Sequence, residues 1–223
     1  MGKLFVIDGT DGSGKQTQFN RLCQKLEKEN IDFMKLSFPR YDNPSSSLVK
    51  MYLSGEFGKD AKEVNPYVAS TFYAADRYAG YKQEFEEYYK NDGIILADRY
   101  TTANMVHQAG KIQDKQEREK FLDWLWDLEF NLYGIPVPTK VFFLNMPPEK
   151  SFELMRNRRN KFTGEFIKDI HESDEGHMID AYNAACDLVE KYNWHEVKCI
   201  QDGNLRSRED IHEEIYEEIK KII

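Results

Sequence analysis

The sequence predicts an α/β fold, a mostly parallel five-stranded sheet with helices on both faces. Three observations predict it. Short, wholly apolar segments recur along the chain, Leu4-Phe5-Val6-Ile7 being the earliest. Continuous rather than alternating apolarity marks strands buried on both sides, as in covered parallel sheets. These segments alternate with stretches whose apolar residues return at helical spacing. Finally, 223 residues at 40% hydrophobic and 31% charged content suit one soluble domain with a proper core. A single domain over 1–223 is expected, with a lid at about 156–175.

The elements follow in order. Strand 4–7 runs into a glycine-rich turn and then a helix from near residue 15 to 28. Residues 33–38 form the second strand, and 65–89 a long, aromatic-rich helix. Residues 94–97 are the third strand, and 116–133 repeat apolar residues at helical spacing. The fourth strand is 141–145. A helix over 148–159 opens with Pro148, where a missing N–H is tolerated. Residues 157–175 are dense in charge and poor in apolar groups, either a surface excursion or a lid. A helix over 175–192 and a strand over 197–200 follow. Ser207 then precedes an acidic first turn, and Ile211, Ile215 and Ile219 line one face of a last helix over 207–222. No internal repeat or low-complexity tract interrupts the pattern.

Composition narrows the function. A net charge of -8 leaves no basic excess to displace phosphate counterions, so nucleic acid is not the expected partner. No apolar run approaches the ~20 residues of a membrane span, and the opening residues enter a strand at once, so neither anchor nor signal peptide is expected. Cys23, Cys186 and Cys199 are scattered without metal-ligand spacing and read as reduced thiols of a cytoplasmic protein. His171 and His177 stand six apart, not at the i, i+4 spacing of a helical zinc pair.

The segment Gly9-Thr10-Asp11-Gly12-Ser13-Gly14-Lys15-Gln16-Thr17 follows the first strand and opens a helix. That is the architecture of a phosphate-binding P-loop. Glycines let successive N–H groups turn toward an anion, the helix N-terminus adds donors, and Lys15 supplies a mobile positive charge. Gly9 through Thr17 are therefore the expected ATP-binding residues. Gln16 stands where a Mg²⁺-ligating hydroxyl is usual; its amide oxygen or Thr17 is the expected substitute. In a sheet of this kind, ligands gather beyond the carboxyl ends of the strands. Phe38-Pro39-Arg40-Tyr41 follows the second strand, Asp98-Arg99-Tyr100 the third and Asn145-Met146-Pro147-Pro148 the fourth. Asp98 suits Mg²⁺, while Arg40 and Arg99 suit a second phosphate, although either arginine alone also fits a surface ion pair.

In Phe72-Tyr73-Ala74-Ala75-Asp76-Arg77, Tyr73 and Arg77 are four apart on one helix face. They make a nucleobase pocket, or else the aromatics are core and Arg77 pairs with Asp76 or another acid. Arg156, Arg158, Arg159 and Lys161 read as cations at a helix end, or as a lid that brings charge to a transferring phosphoryl group.

Together these motifs resemble those of the thymidylate kinase family over nearly the whole chain. The P-loop is similar to that family's GxDGxGKTTQ, residues 72–77 to its FAADR segment, Asp98-Arg99-Tyr100 to its DRY segment, and Leu144-Asn145-Met146-Pro147-Pro148-Glu149 to its LDVPPE-like segment. His107 stands where tyrosine is usual, and Gly12 where some members carry arginine. The resemblance implies ATP-dependent phosphorylation of dTMP with Mg²⁺. It places Tyr73 on the base, Arg77 at a base carbonyl, Asn104 and Gln108 around the base, and Asp11 near the sugar. Arg40 and Arg99 would grip the dTMP phosphate, and Tyr182 would face the deoxyribose. The loop 201–204 would touch adenine. Catalytic charge would come from Lys15, Arg99, Asp98 and the lid residues Arg156, Arg159 and Lys161, and the protein would be a homodimer. A kinase for another monophosphate is the alternative. A nucleotide-switched module would end a strand in NKxD and carry DxxG after the third strand, and neither stands there in this sequence; a binding protein without catalysis would turn over nothing.

Overall fold

The computed structural model describes residues 1–60, 62–155 and 175–223. In chain order the elements are β1 (Lys3–Gly9), α1 (Lys15–Lys28), β2 (Met34–Ser37), α2 (Ser47–Leu53) and α3 (Pro66–Gly80). A wider turn at Tyr81–Phe85 carries α3 into α4 (Glu86–Lys90), followed by β3 (Ile94–Asp98), α5 (Thr101–Ala109) and α6 (Lys115–Trp126). The chain closes with β4 (Lys140–Asn145), α7 (Pro148–Met155), α8 (Glu175–Lys191), β5 (His195–Lys198), the short β6 (Ile200–Gln201) and β7 (Asn204–Leu205), and α9 (Arg208–Lys220).

The main sheet has five strands in the order β2-β3-β1-β4-β5, and each neighbouring pair is parallel. Because side chains alternate across a strand, each apolar run feeds two cores. Leu4, Val6, Ile95, Ala97, Val141 and Phe143 pack with Met105 and Val106 of α5, Phe121 and Leu122 of α6, and Ala181 and Ala185 of α8. Phe5, Ile7, Leu96, Phe142 and Leu144 pack on the opposite face with Phe19 and Leu22 of α1 and Ile211, Ile215 and Ile219 of α9. Burying one such side chain contributes roughly 1.5–3 kcal/mol, so the two clusters together fix the register. Ser207 caps α9 as expected, its Oγ accepting from the Asp210 N–H at 3.0 Å.

Several boundaries differ from the sequence reading. The last strand of the sheet begins at His195, two residues before the expected start. The long helix 65–89 is broken by the wide turn at Tyr81–Phe85, and the helix 116–133 widens over Asp127–Leu132. Helix α2 and the β6–β7 hairpin have no counterpart in the periodicity reading. The expected helix 148–159 is described as Pro148–Met155; its remainder, and the expected lid up to 174, lie outside the described residues. No described helix is long and apolar enough to cross a membrane.

Candidate active site

β1 lies in the middle of the sheet, and the chain crosses first to one edge and later to the other, so a cleft opens above the carboxyl ends of β1 and β3. The glycine-rich loop occupies the end of β1. Gly12 and Gly14 hold φ of +80° and +91°, the left-handed region where a side chain is strained. Gly14 caps α1 without any side-chain hydrogen bond, so the first-turn N–H groups of that helix remain available for an anion. Lys15 is buried, and its Nζ donates to Gly9 O at 2.6 Å and Thr10 O at 2.8 Å, with the Asp11 carboxylate 3.7 Å away. Burial first, and the Arg99 charge second, push its pKa down to about 8. It is still mostly charged at neutral pH.

Arg99 leaves β3 in a left-handed conformation, φ +67°, and its N–H donates to Ile7 O at 3.1 Å across the sheet. That turn sends the side chain toward the P-loop, where one terminal nitrogen donates to Asp11 and the other lies 3.1 Å from His107 Nε2. Burial disfavours its charge, but Asp11, Asp8 and Asp98 outweigh this and hold its pKa above the ordinary arginine value. Asp8 is an acid that the sequence reading passed over. It is fully buried, accepting from the Gly9 N–H at 2.8 Å and from the Thr102 hydroxyl, and burial raises its pKa against the pull of Arg99 and Lys15. Its signal was an acid embedded in a wholly apolar strand.

A cleft of about 970 Å³ contains this centre. On one side α1 meets the segment entering α9, where Gln18 Nε2 donates to Arg208 O at 3.1 Å; Gln16, Thr17, Leu205 and Arg206 line the cleft here. On the other side α3 meets α5, where Asn104 Nδ2 donates to Ser70 O at 3.3 Å; Tyr73, Asn104, His107 and Gln108 line it. Asp11, Lys15, Asp98 and Arg99 lie in the same lining. The Tyr73 ring is held edge-on against Tyr52, with centroids 6.3 Å apart. A phosphate-binding loop thus shares one cavity with an aromatic, amide-lined end.

Other expected site residues stand elsewhere. Arg77 does not line the cleft: it is 2% exposed, and its Nε and Nη2 donate to the two Glu129 carboxylate oxygens at 2.6 Å each, while Nη1 donates to Tyr100 O at 3.3 Å. A buried guanidinium needs such a partner, so the ion-pair alternative describes Arg77 in this structure, with Glu129 rather than Asp76 as the acid. Arg40 also turns from the cleft, donating to Asp76, Glu84 and Ser45. Tyr182 does not line the cleft; its hydroxyl donates to Asn145 Oδ1 at the end of β4 at 2.9 Å, and burial with Cys186 beside it pushes its pKa up to about 12. Gly9 and Thr10 are buried beneath the loop rather than in the cleft wall. The loop 201–204 is exposed, and the next two residues, Leu205 and Arg206, reach the cleft instead. Arg156, Arg159 and Lys161 fall outside the described residues.

The donors in the cleft fit Mg²⁺. Asp98, Thr17 and the exposed Gln16 offer hard oxygen atoms, and Gln16 Nε2 donates to Asn20 Oδ1 at 3.1 Å. Among the described residues no group of three or more His, Cys, Asp or Glu is placed to hold a metal alone. Mg²⁺ suits such a set, because it commonly binds through one or two carboxylates plus substrate phosphates.

The family model described as thymidylate kinase matches residues 7–203. A thymidylate kinase of Mycobacterium tuberculosis is 28% identical over 172 residues, covering 77% of this chain and 78% of that protein. One from Plasmodium falciparum is 25% identical, covering 99% and 91%. One from an Exiguobacterium species is 26% identical, covering 94% and 91%.

Proposed function

The chain belongs to the thymidylate kinase family, and from that premise we propose how its cleft phosphorylates dTMP with ATP. The P-loop residues from Asp11 to Thr17 cradle the ATP phosphates, with Lys15, held from below by the Gly9 and Thr10 carbonyls, on the outer ones. Thymine lies against Tyr73 between the Asn104 and Gln108 amides, and the dTMP phosphate meets Arg99. The observation that carries this reading is the position of Arg99: it stands with Lys15 in one cavity, clasped by Asp11 and His107. Arg40, Arg77 and Tyr182 act behind this surface, fixing the strand ends and helices that shape it.

The chemistry needs no strong base. A phosphate monoester with second pKa near ~6 is largely dianionic at neutral pH, so its oxygen is already a nucleophile. That oxygen bonds to the γ-phosphorus of ATP as the bond to the β,γ-bridging oxygen breaks, giving dTDP and ADP. The difficulty is the approach of two anions, and fixed cations relieve it. Lys15 and Arg99 supply positive charge from the floor of the cleft. Asp98, with Gln16 or Thr17, would hold Mg²⁺, which would supply further positive charge against the phosphates. The lid over 156–175 would add Arg156, Arg159 and Lys161 and exclude water, which otherwise competes as acceptor.

This reading takes the chain as a single domain working as a homodimer in the cytoplasm. The free thiols Cys23, Cys186 and Cys199 suit a reducing compartment. Sedimentation at micromolar concentration checks the dimer. The substrate is checked by coupled ADP release with dTMP, dUMP, dCMP and dGMP. The highest kcat/KM is expected for dTMP, with dUMP behind it by roughly 10–200-fold, the discrimination available from one methyl group. Faster turnover of another monophosphate, or ADP release that needs no acceptor, would overturn it.

A further inference from the structure

We propose that His107 is a positioning residue for Arg99, a neutral imidazole whose Nε2 lone pair fixes the guanidinium in its phosphate-facing orientation. Nε2 lies 3.1 Å from Arg99 Nη1. A guanidinium only donates, so Nε2 must accept, and the ring proton must sit on Nδ1. The other terminal nitrogen of Arg99 donates to Asp11. Each terminal nitrogen carries a second N–H, which the clasp leaves in place for a phosphate. Without His107, Asp11 is the hydrogen-bond partner left to the guanidinium among the described residues, and both terminal nitrogens can turn onto its carboxylate, because a bidentate pair is the favoured arginine–carboxylate geometry.

The rest of the surroundings serve the same end. His107 is 5% exposed and its ring is stacked on fully buried His177 of α8, centroids 5.7 Å apart and planes 25° from parallel. The imidazole therefore has a fixed plane as well as a fixed partner. The charged and titratable groups facing it are Arg99 and, from the P-loop, Asp11 and Lys15, with His177 on α8. Burial first, and the Arg99 charge next, keep its pKa well below 6.5, so the accepting form persists across the neutral range.

The inference rests on Arg99 gripping the dTMP phosphate, and its test separates the two ideas. In enzyme carrying ¹⁵N-labelled histidine, two-bond ¹⁵N–¹H spectra at pH 7, assigned by loss of the signal in His107→Gln, are expected to show a neutral Nδ1–H tautomer. An Nε2–H tautomer or an imidazolium would overturn the proposal, and this measurement needs no activity. Kinetically, His107→Phe is expected to lower kcat/KM for dTMP by about 10-fold or more, the scale of one hydrogen bond to a charged group, with KM for ATP within about twofold of the parent. His107→Gln, which restores an acceptor, is expected to recover to within about threefold. Parental kinetics in His107→Phe would refute the positioning role. So would equal loss in both variants when both melt like the parent. A silent Arg99→Ala would instead defeat the phosphate-gripping assignment itself.

Discussion

At the residue scale, Arg99 and Arg77 do different work. Arg99 keeps an edge toward the cleft, whereas Arg77 is enclosed by Glu129 and the Tyr100 carbonyl. Loss of a transition-state charge partner typically lowers turnover by at least ~100-fold, so Lys15→Ala and Arg99→Ala are each expected to do so in a coupled assay, with folding intact by circular dichroism. Parental turnover in either would remove that residue from the mechanism. Glu129→Ala leaves the Arg77 charge buried without its partner and also strips the Thr101 hydroxyl of its acceptor. It is expected to destabilise the fold by about 3–5 kcal/mol in urea titration; a change under about 1 kcal/mol would show that Arg77 finds water. Helical spacing sets Arg77 on one face with Tyr73, but no local rule points to an acid 52 residues onward.

At the scale of elements, the wide turn at Asp127–Leu132 is what turns Glu129 inward, a departure from the α-helical period of the kind found at functional sites. Helix α5 departs differently. Eight of its nine residues, all but Ala103, are buried, so it has no solvent face and no amphipathic period. Its existence was read only through the family resemblance, and the same burial lets Asn104, His107 and Gln108 serve the cleft. Helix α5 packs on α8, and a Cβ on Gly110, just past its end, would meet the Ala181 backbone at 2.9 Å. Gly110→Ala is therefore expected to destabilise by about 1–3 kcal/mol in thermal melts and to raise KM for dTMP more than KM for ATP. Unchanged stability and unchanged KM would mean that the α5–α8 contact has slack.

Across the whole molecule, the parallel sheet was legible because β1, β3 and β4 run apolar on both faces, and the P-loop because its glycines follow one of them. The strand-end rule brought Asp98 and Arg99 to the cleft. The same rule names Arg40, whose guanidinium goes here to Asp76, Glu84 and Ser45, and it passes over Asp8 inside β1. Long-range pairing decides these cases, and pairing is a property of the fold. One such pairing makes folding stability depend on pH. Lys111 is half-buried, its Nζ donating to the Tyr52 hydroxyl at 2.7 Å and to Val64 O at 3.3 Å. Burial lowers its pKa from 10.5 to about 7, partly opposed by Asp60. Between those values the unfolded chain binds a proton that the folded chain does not, so stability rises with pH across that window. Lys111→Met is expected to lack this rise, with parallel curves below pH ~7; urea titrations from pH 6 to 10 check it, and identical slopes would contradict it.

The central claim is that two nucleotides meet head to head in one cleft, over Lys15 and Arg99. The most direct measurement is a crystal structure with thymidine and adenosine joined through a phosphate chain. The thymidine half is predicted beside Tyr73, Asn104 and Gln108, the phosphates across the P-loop and Arg99, and the adenosine beside Leu205 and Arg206. Thymidine density anywhere else in the molecule would contradict the claim.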